Sequence, residues 1–180
     1  MASPPEIERE SGEMVLLVGG ISEDGTTLKP SAVEVEIDPQ TGAVTVCKLV
    51  VSGDAGKAIN PLLCRGQDEG AAVMGLGQAL FEQMIYDDGR LLNGNLLDYR
   101  VPRADDLPAS FRSITQEQGH GPGPFGAKGM GEGGMLPIAA AIANAVEDAV
   151  GVRITELPLT PERILAALDA RRPAGMGSAR

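Results

Sequence analysis

The segment Gly126-Ala127-Lys128-Gly129-Met130-Gly131-Glu132-Gly133-Gly134 is the most unusual in the chain. Its glycines let the main chain approach a ligand closely, and a helix expected to begin near 134 would add N–H groups that favour an anion. Three chemistries compete for it. A phosphate-binding loop is the first, although neither this stretch nor Gly53-Asp54-Ala55-Gly56-Lys57-Ala58 has the GxxxxGK[ST] spacing of a nucleotide hydrolase. A structural turn with a capping glutamate is the second. The third makes Glu132 a catalytic base held beside a cofactor, for which a lone carboxylate is weak evidence by itself. Other residues offer less. The two cysteines, Cys47 and Cys64, form no CxxC pair and cannot supply four ligands to an iron–sulfur cluster or a Cys-rich zinc site. Their apolar neighbours imply buried, reduced thiols, with a disulfide between them left open. His120 lies among glycines and reads as an exposed loop residue rather than a ligand. Asp87 and Asp88 lack the spacing of a calcium loop and read as turn residues. Lys128 suits either an anionic group or a salt bridge. Phe125 either lines an entrance or packs the loop, and packing is the simpler reading.

The elements that must position these residues are mixed. Ala32-Val33-Glu34-Val35-Glu36-Ile37-Asp38 alternates with period two, as a half-buried strand does. A turn signal over 38–42 and a second β-rich run over 43–51 make 32–51 a hairpin. Residues 14–18 suit a short strand, and 19–30 are turn-rich. Asn60-Pro61 resembles a helix start. A longer helix is expected over about 66–84, where Val73, Leu76, Leu80 and Met84 recur at helical spacing. Within it Gly70, Gly75 and Gly77 cost roughly 1 kcal/mol each relative to Ala, so either a backbone or ligand comes close or helices pack tightly. Residues 91–110 read as irregular and 111–116 as a strand. A helix over about 134–149 has Ile138, Ile142, Ala145, Val146 and Ala149 on one face and Gly151 as its stop. A short strand over 152–155 follows. Thr160-Pro161-Glu162 then opens a last helix to about Asp169. There is no internal repeat and no regular βαβ alternation, so the expected class is α+β, a mixed sheet with packed helices.

The whole chain bounds the answer further. Its 180 residues suit one domain with one sizeable core. Hydrophobic residues make up 43% but aromatics only 3%, with no Trp, so the core must be aliphatic. A formal net charge of −10 argues against bulk nucleic acid or anionic membrane as partners. The start is polar and acidic, without the basic and apolar stretches of a secretory signal, and no apolar run reaches the length of a membrane span. The cytoplasm is the expected location. Residues 1–12 are expected to be a flexible leader within an N-terminal extension over 1–30, and 171–180 a disordered tail, leaving 31–170 as the folded unit.

Several segments then share one resemblance. Residues Gly126 to Glu132 look like the Gly-Ala-Lys-Gly-X-Gly-Glu segment of the molybdenum hydroxylases, the xanthine dehydrogenase and aldehyde oxidase family. Ala58-Ile59-Asn60-Pro61, Gly66-Gln67-Asp68-Glu69-Gly70 and Gly75-Leu76-Gly77 are similar to another stretch of that family, as are Leu97-Asp98-Tyr99, Ala141-Ile142-Ala143-Asn144-Ala145 and Glu156-Leu157-Pro158-Leu159-Thr160-Pro161-Glu162. The match runs in order from about residue 31 to 168. It implies the C-terminal molybdopterin-binding domain of the large subunit. It also implies a catalytic role for Glu132, a hydrogen bond from Gln67 to molybdopterin, and a cofactor-lining loop of Ala127, Lys128, Gly129, Met130 and Gly131. The metal would be held by the pterin dithiolene, with no protein side chain as ligand. The implied reaction is hydroxylation of an electron-poor C–H carbon of an aldehyde or N-heterocycle, with water as oxygen donor and a carboxylate as base.

The chain is much shorter than the molybdenum-binding polypeptides it resembles, and it lacks their other glycine-rich cofactor loops and the Cys patterns of [2Fe–2S] clusters. The expected arrangement is a split enzyme, with a truncated piece of a longer polypeptide as the plain alternative. A larger molybdopterin-binding subunit, an iron–sulfur subunit and a possible FAD subunit would complete it, with the pterin in its plain or cytosine dinucleotide form. A non-catalytic binding or assembly module that kept the fold is the alternative. Either way an exposed apolar docking surface is expected.

Overall fold

The structure, a computed structural model, describes residues 16–21 and 28–171. The expected leader and, beyond Arg171, the expected tail lie outside the described residues. Strand β1 (Leu16–Ile21) pairs antiparallel with β2 (Leu28–Ile37), and β2 pairs antiparallel with β3 (Val44–Asp54). After helix α1 (Pro61–Leu80) come the two short strands β4 (Tyr86–Asp87) and β5 (Arg90–Leu91), which flank the turn expected at 87–90. Strand β6 (Ser110–Gln116) then adds to β3 in parallel, giving the sheet order β1-β2-β3-β6. Helices α2 (Leu136–Val150) and α3 (Pro161–Arg171) complete the chain. The class is α+β with a mixed sheet, as expected.

The hairpin follows its hydrophobic pattern with one adjustment. Register runs from Glu34 opposite Lys48 to Val35 opposite Val46, so Cys47 is an extra residue on β3. This bulge lets Val46 and Leu49, three positions apart, both face the core. It also leaves Cys47 half-buried, and Cys64 on α1 is half-buried as well. Neither thiol forms a disulfide, and neither is fully buried, where burial was expected. The core joins Val33, Leu49 and Val51 of the sheet to Leu76 of α1, Ile138 and Ile142 of α2 and Ile164 of α3. These side chains are at or near zero exposure, and aliphatic burial of this kind contributes about 1.5–3 kcal/mol per large side chain.

Helix boundaries differ from the sequence reading where caps outweigh periodicity. Asn60 is extended and its side chain accepts from the Leu63 N–H, so α1 starts at Pro61 rather than near 66. It stops at Leu80 because the Phe81 and Glu82 N–H groups both turn back to the Gly77 carbonyl. Met84 therefore lies outside the helix and is exposed. On α2, Val150 rather than Ala149 completes the buried face, and Gly151 ends the helix in a left-handed conformation. Residues 152–155 form no strand. Residues 19–21 and 28–30, expected in turns, belong to strands.

Candidate cofactor and catalytic site

The loop carrying Glu132 is held at the C-terminal ends of the parallel pair β3 and β6. The Ala55 N–H donates to the Gln116 carbonyl at 2.9 Å, just beyond the last paired residues. The chain after β3 then interleaves with the chain after β6. Lys57 N–H donates to Gly126 O at 3.1 Å, Lys128 N–H to Ala55 O at 2.9 Å and Gly119 N–H to Gly56 O at 2.9 Å. Gly56 is required here, since it has φ +64 and a Cβ would stand 2.1 Å from the Gly126 carbonyl oxygen. Residues 53–58, which lack phosphate-loop spacing, form a structural turn, closed by Asp54 Oδ1 accepting from the Gly56 N–H at 2.8 Å.

Asp54 does more than close that turn. Its Oδ2 accepts from Lys128 Nζ at 2.5 Å, with both side chains about nine-tenths buried. Burial by itself would raise the Asp54 pKa. The bonds from Lys128, from the Gly56 and Gln118 N–H groups and the Lys128 charge outweigh it and hold the carboxyl below its ordinary range. Lys128 is thus salt-bridged, one of the two roles its sequence context allowed. Nearby, Glu117 is also held below the ordinary range, first by Lys57, whose ammonium lies 2.8 Å away, and then by the Ala58 N–H.

Beyond Lys128 the main chain opens. Among the described residues the N–H groups of Gly129, Met130 and Gly131 find no backbone acceptor. A Cβ built on Gly129 or Gly131 would meet nothing within 4 Å. Gln67, exposed on the first third of α1, donates from Nε2 to the Gly131 carbonyl at 2.8 Å and so joins helix to loop. Glu132 is the next residue. Its side chain is exposed, and its carbonyl accepts from the Met135 N–H at 2.9 Å as the chain turns into α2. Residues 129–134 do satisfy GxGxxG by spacing, but no strand leads directly into them, which sets them apart from a dinucleotide-binding turn. The result is a strip of main-chain donors, two of the three on glycines, flanked by an amide and a carboxylate. That chemistry fits an oxygen-rich, anionic cofactor, and no protein metal ligand is needed for it.

All seven residues singled out from the sequence, Gln67, Ala127, Lys128, Gly129, Met130, Gly131 and Glu132, fall on this loop or on the helix face joined to it. Phe125 does not pack as expected; it is 85% exposed with φ +57. Sequence reasoning missed Asp54, and it also missed a buried pair under the loop, Lys29 and Asp68, 2.6 Å apart. Asp68 carried a readable signal. It stands four residues before Ala72 and eight before Leu76 on the buried stripe of α1, where a charge requires a partner. Two cavities, one between β3, Phe81 and Pro161 and one between Met84, Leu91, Leu96 and Tyr99, lie away from Glu132.

Residues 23–108 match the molybdopterin cofactor-binding domain. Over 137 residues the chain is 42% identical to the 6-hydroxypseudooxynicotine dehydrogenase complex subunit gamma of Paenarthrobacter nicotinovorans, covering 74% of this chain and 17% of that protein. The chain belongs to the molybdenum hydroxylase family. It is also 42% identical over 149 residues to the xanthine dehydrogenase molybdenum-binding subunit of Escherichia coli O157:H7, covering 77% of this chain and 19% of that subunit. Among solved structures it resembles quinoline 2-oxidoreductase from Pseudomonas putida 86, with TM-score 0.72 and 37% identity over 82% of this chain and 19% of that one. The chain thus spans less than a fifth of these molybdenum hydroxylase polypeptides.

Proposed function

We propose that residues 31–170 are the cofactor-binding unit that completes the active site of a molybdenum hydroxylase oxidising an aldehyde or N-heterocycle at C–H, with water as oxygen donor. The observation that carries this reading is the strip of free N–H groups at Gly129, Met130 and Gly131, flanked by Gln67 and Glu132. When bound, molybdopterin, in its plain or cytosine dinucleotide form, supplies the two-electron acceptor. The chain's own residues do the rest. The Gly129–Gly131 main chain donates to the cofactor. Gln67 keeps one amide hydrogen and its carbonyl available for a further bond while its other hydrogen holds Gly131. Glu132, free of neighbouring donors, takes the proton from the attacking oxygen.

The remainder of the substrate pocket is assigned to a larger molybdopterin-binding polypeptide, and electron exit to an iron–sulfur subunit, with or without an FAD subunit, in the cytoplasm.

Glu132→Gln preserves shape and removes basicity. In enzyme with full molybdenum content it should lower turnover by about 10²-fold or more. Turnover near the parent value would reject Glu132 as base. Gln67→Ala should instead lower molybdenum retained after gel filtration, and unchanged retention would reject its cofactor role.

A further inference from the structure

We propose that the buried Lys29–Asp68 ion pair is the positioning device that sets the 129–134 loop, and through it Glu132 and Gln67. The proposal rests on the assignment of that loop to the cofactor. Lys29 is 2% exposed and Asp68 0%, with Nζ 2.6 Å from Oδ1. Such a pair is an uneconomical way to hold a fold, because desolvation offsets most of the attraction and apolar residues of similar volume serve as well or better. Its contacts point to a different role.

Its contacts run to the loop and to β3 beneath it. Lys29 Nζ lies 3.4 Å from Met130 Sδ. Gly133 runs along the lysine stem, where a Cβ would stand 3.0–3.3 Å from three of its carbons. Gly134 lies over the carboxylate, with a built Cβ 3.3 Å from Asp68 Oδ1 and 3.1 Å from Ala71 Cβ. Gly53 on β3 leaves the space the pair occupies, since a Cβ there would be 2.6 Å from Nζ and 3.0 Å from Oδ2. Asp68 follows Gln67, whose amide holds Gly131. The loop is therefore touched at 130, 131, 133 and 134 by the pair and its neighbour, and Glu132 stands in the one position between. Because Lys29 comes from β2 and Asp68 from α1, the ion pair ties the loop to both layers of the fold. Among the described residues Asp68 Oδ2 is buried without a hydrogen-bond partner, while Oδ1 accepts from Lys29.

The test separates loop positioning from fold stability. In the native assembly containing this chain, Lys29→Met with Asp68→Leu replaces the pair by apolar groups of similar size. Hydrogen exchange and steady-state kinetics are then measured together. The expected result is parent-like exchange in β2, β3 and the body of α2, with the Met135 amide, which closes the loop onto the Glu132 carbonyl, exchanging about tenfold or more faster. Turnover should fall about tenfold or more with KM little changed, as misalignment of a reacting group predicts. Loop exchange at the parent rate would overturn the proposal, leaving an ordinary core ion pair. A loosened loop with unchanged turnover would overturn it too, by removing the link to Glu132. Should the double variant fail to assemble, Asp68→Asn, which keeps shape and weakens the pair, carries the same comparison. Failure of the functional reading would appear separately, as undiminished turnover in Glu132→Gln, while loop exchange still reports on the pair.

Discussion

Asp54 is a carboxylate whose charge its neighbours hold in place, and that has a pH consequence. Burial would raise its pKa, yet Lys128 and two N–H groups lower it. A carboxyl lowered by folding contributes stability that is complete above its unfolded pKa and lost as pH falls through the folded value. The contacts of residues 55–57 with 119–128 should therefore survive mild acid and release only below the ordinary carboxylate range. Lys128→Met removes the strongest opposing group and leaves burial to act, so release should move to higher pH. Exchange of the Lys57 and Gly119 amides, corrected for intrinsic rates, would give the midpoint; identical midpoints in parent and variant would dismiss the argument. At this scale the sequence was partly legible. The 126–132 motif located the loop on which Gly129, Gly131 and Glu132 are exposed, while its Lys128 is tied structurally to Asp54. Asp54 and Lys29 stayed hidden because their roles depend on partners 74 and 39 positions away along the chain.

The glycines of α1 divide into two kinds, and only the coordinates separate them. Gly75 packs against α2, where a Cβ would stand 2.6 Å from Ile138 Cβ and 2.8 Å from the Met135 carbonyl oxygen. Gly70 has nothing within 4 Å. Gly75→Ala should thus destabilise the chain by about 1–3 kcal/mol through overpacking. Gly70→Ala should stabilise it by roughly 0.5–1 kcal/mol by restricting the unfolded backbone. Thermal melts of the two variants, moving in opposite directions from the parent, are the check; a fall in both would mean that the open side of α1 is not open. The sequence showed that these glycines were costly but could not say which cost was met by packing. Element type was legible wherever periodicity was sustained, as in the 32–38 strand and the Ile138–Val146 face. It failed at residues 152–155, where a β-branched run pairs with no strand, and at the end of α1, where spacing continues past a backbone turn that no residue type announces.

At the scale of the molecule, large apolar side chains stand in solvent in numbers that scattered surface hydrophobics do not explain. Leu97 is 92% exposed, Leu96 79%, Leu62 77% and Leu63 69%, in addition to Phe125. Their exposure is built into local structure. Asn95 Oδ1 accepts from the Leu97 N–H at 2.9 Å and fixes the turn that presents Leu97, while Leu62 and Leu63 follow the Asn60 cap on the first turn of α1. Side chains held outward in this way suit surfaces that another polypeptide covers, and family members of which this chain matches less than a fifth have ample residues to cover them. The isolated chain is accordingly expected to self-associate in sedimentation velocity. Leu97→Glu together with Leu62→Lys should shift it toward a monomer, because each change adds charge at a site with no buried partner. The same double variant, expressed with the remaining subunits, should lose co-purifying large polypeptide and molybdenum in parallel. A parent chain that is already monodisperse, or a variant that assembles at parent yield, would mean that these leucines are ordinary surface and that the cofactor site is closed by some other face.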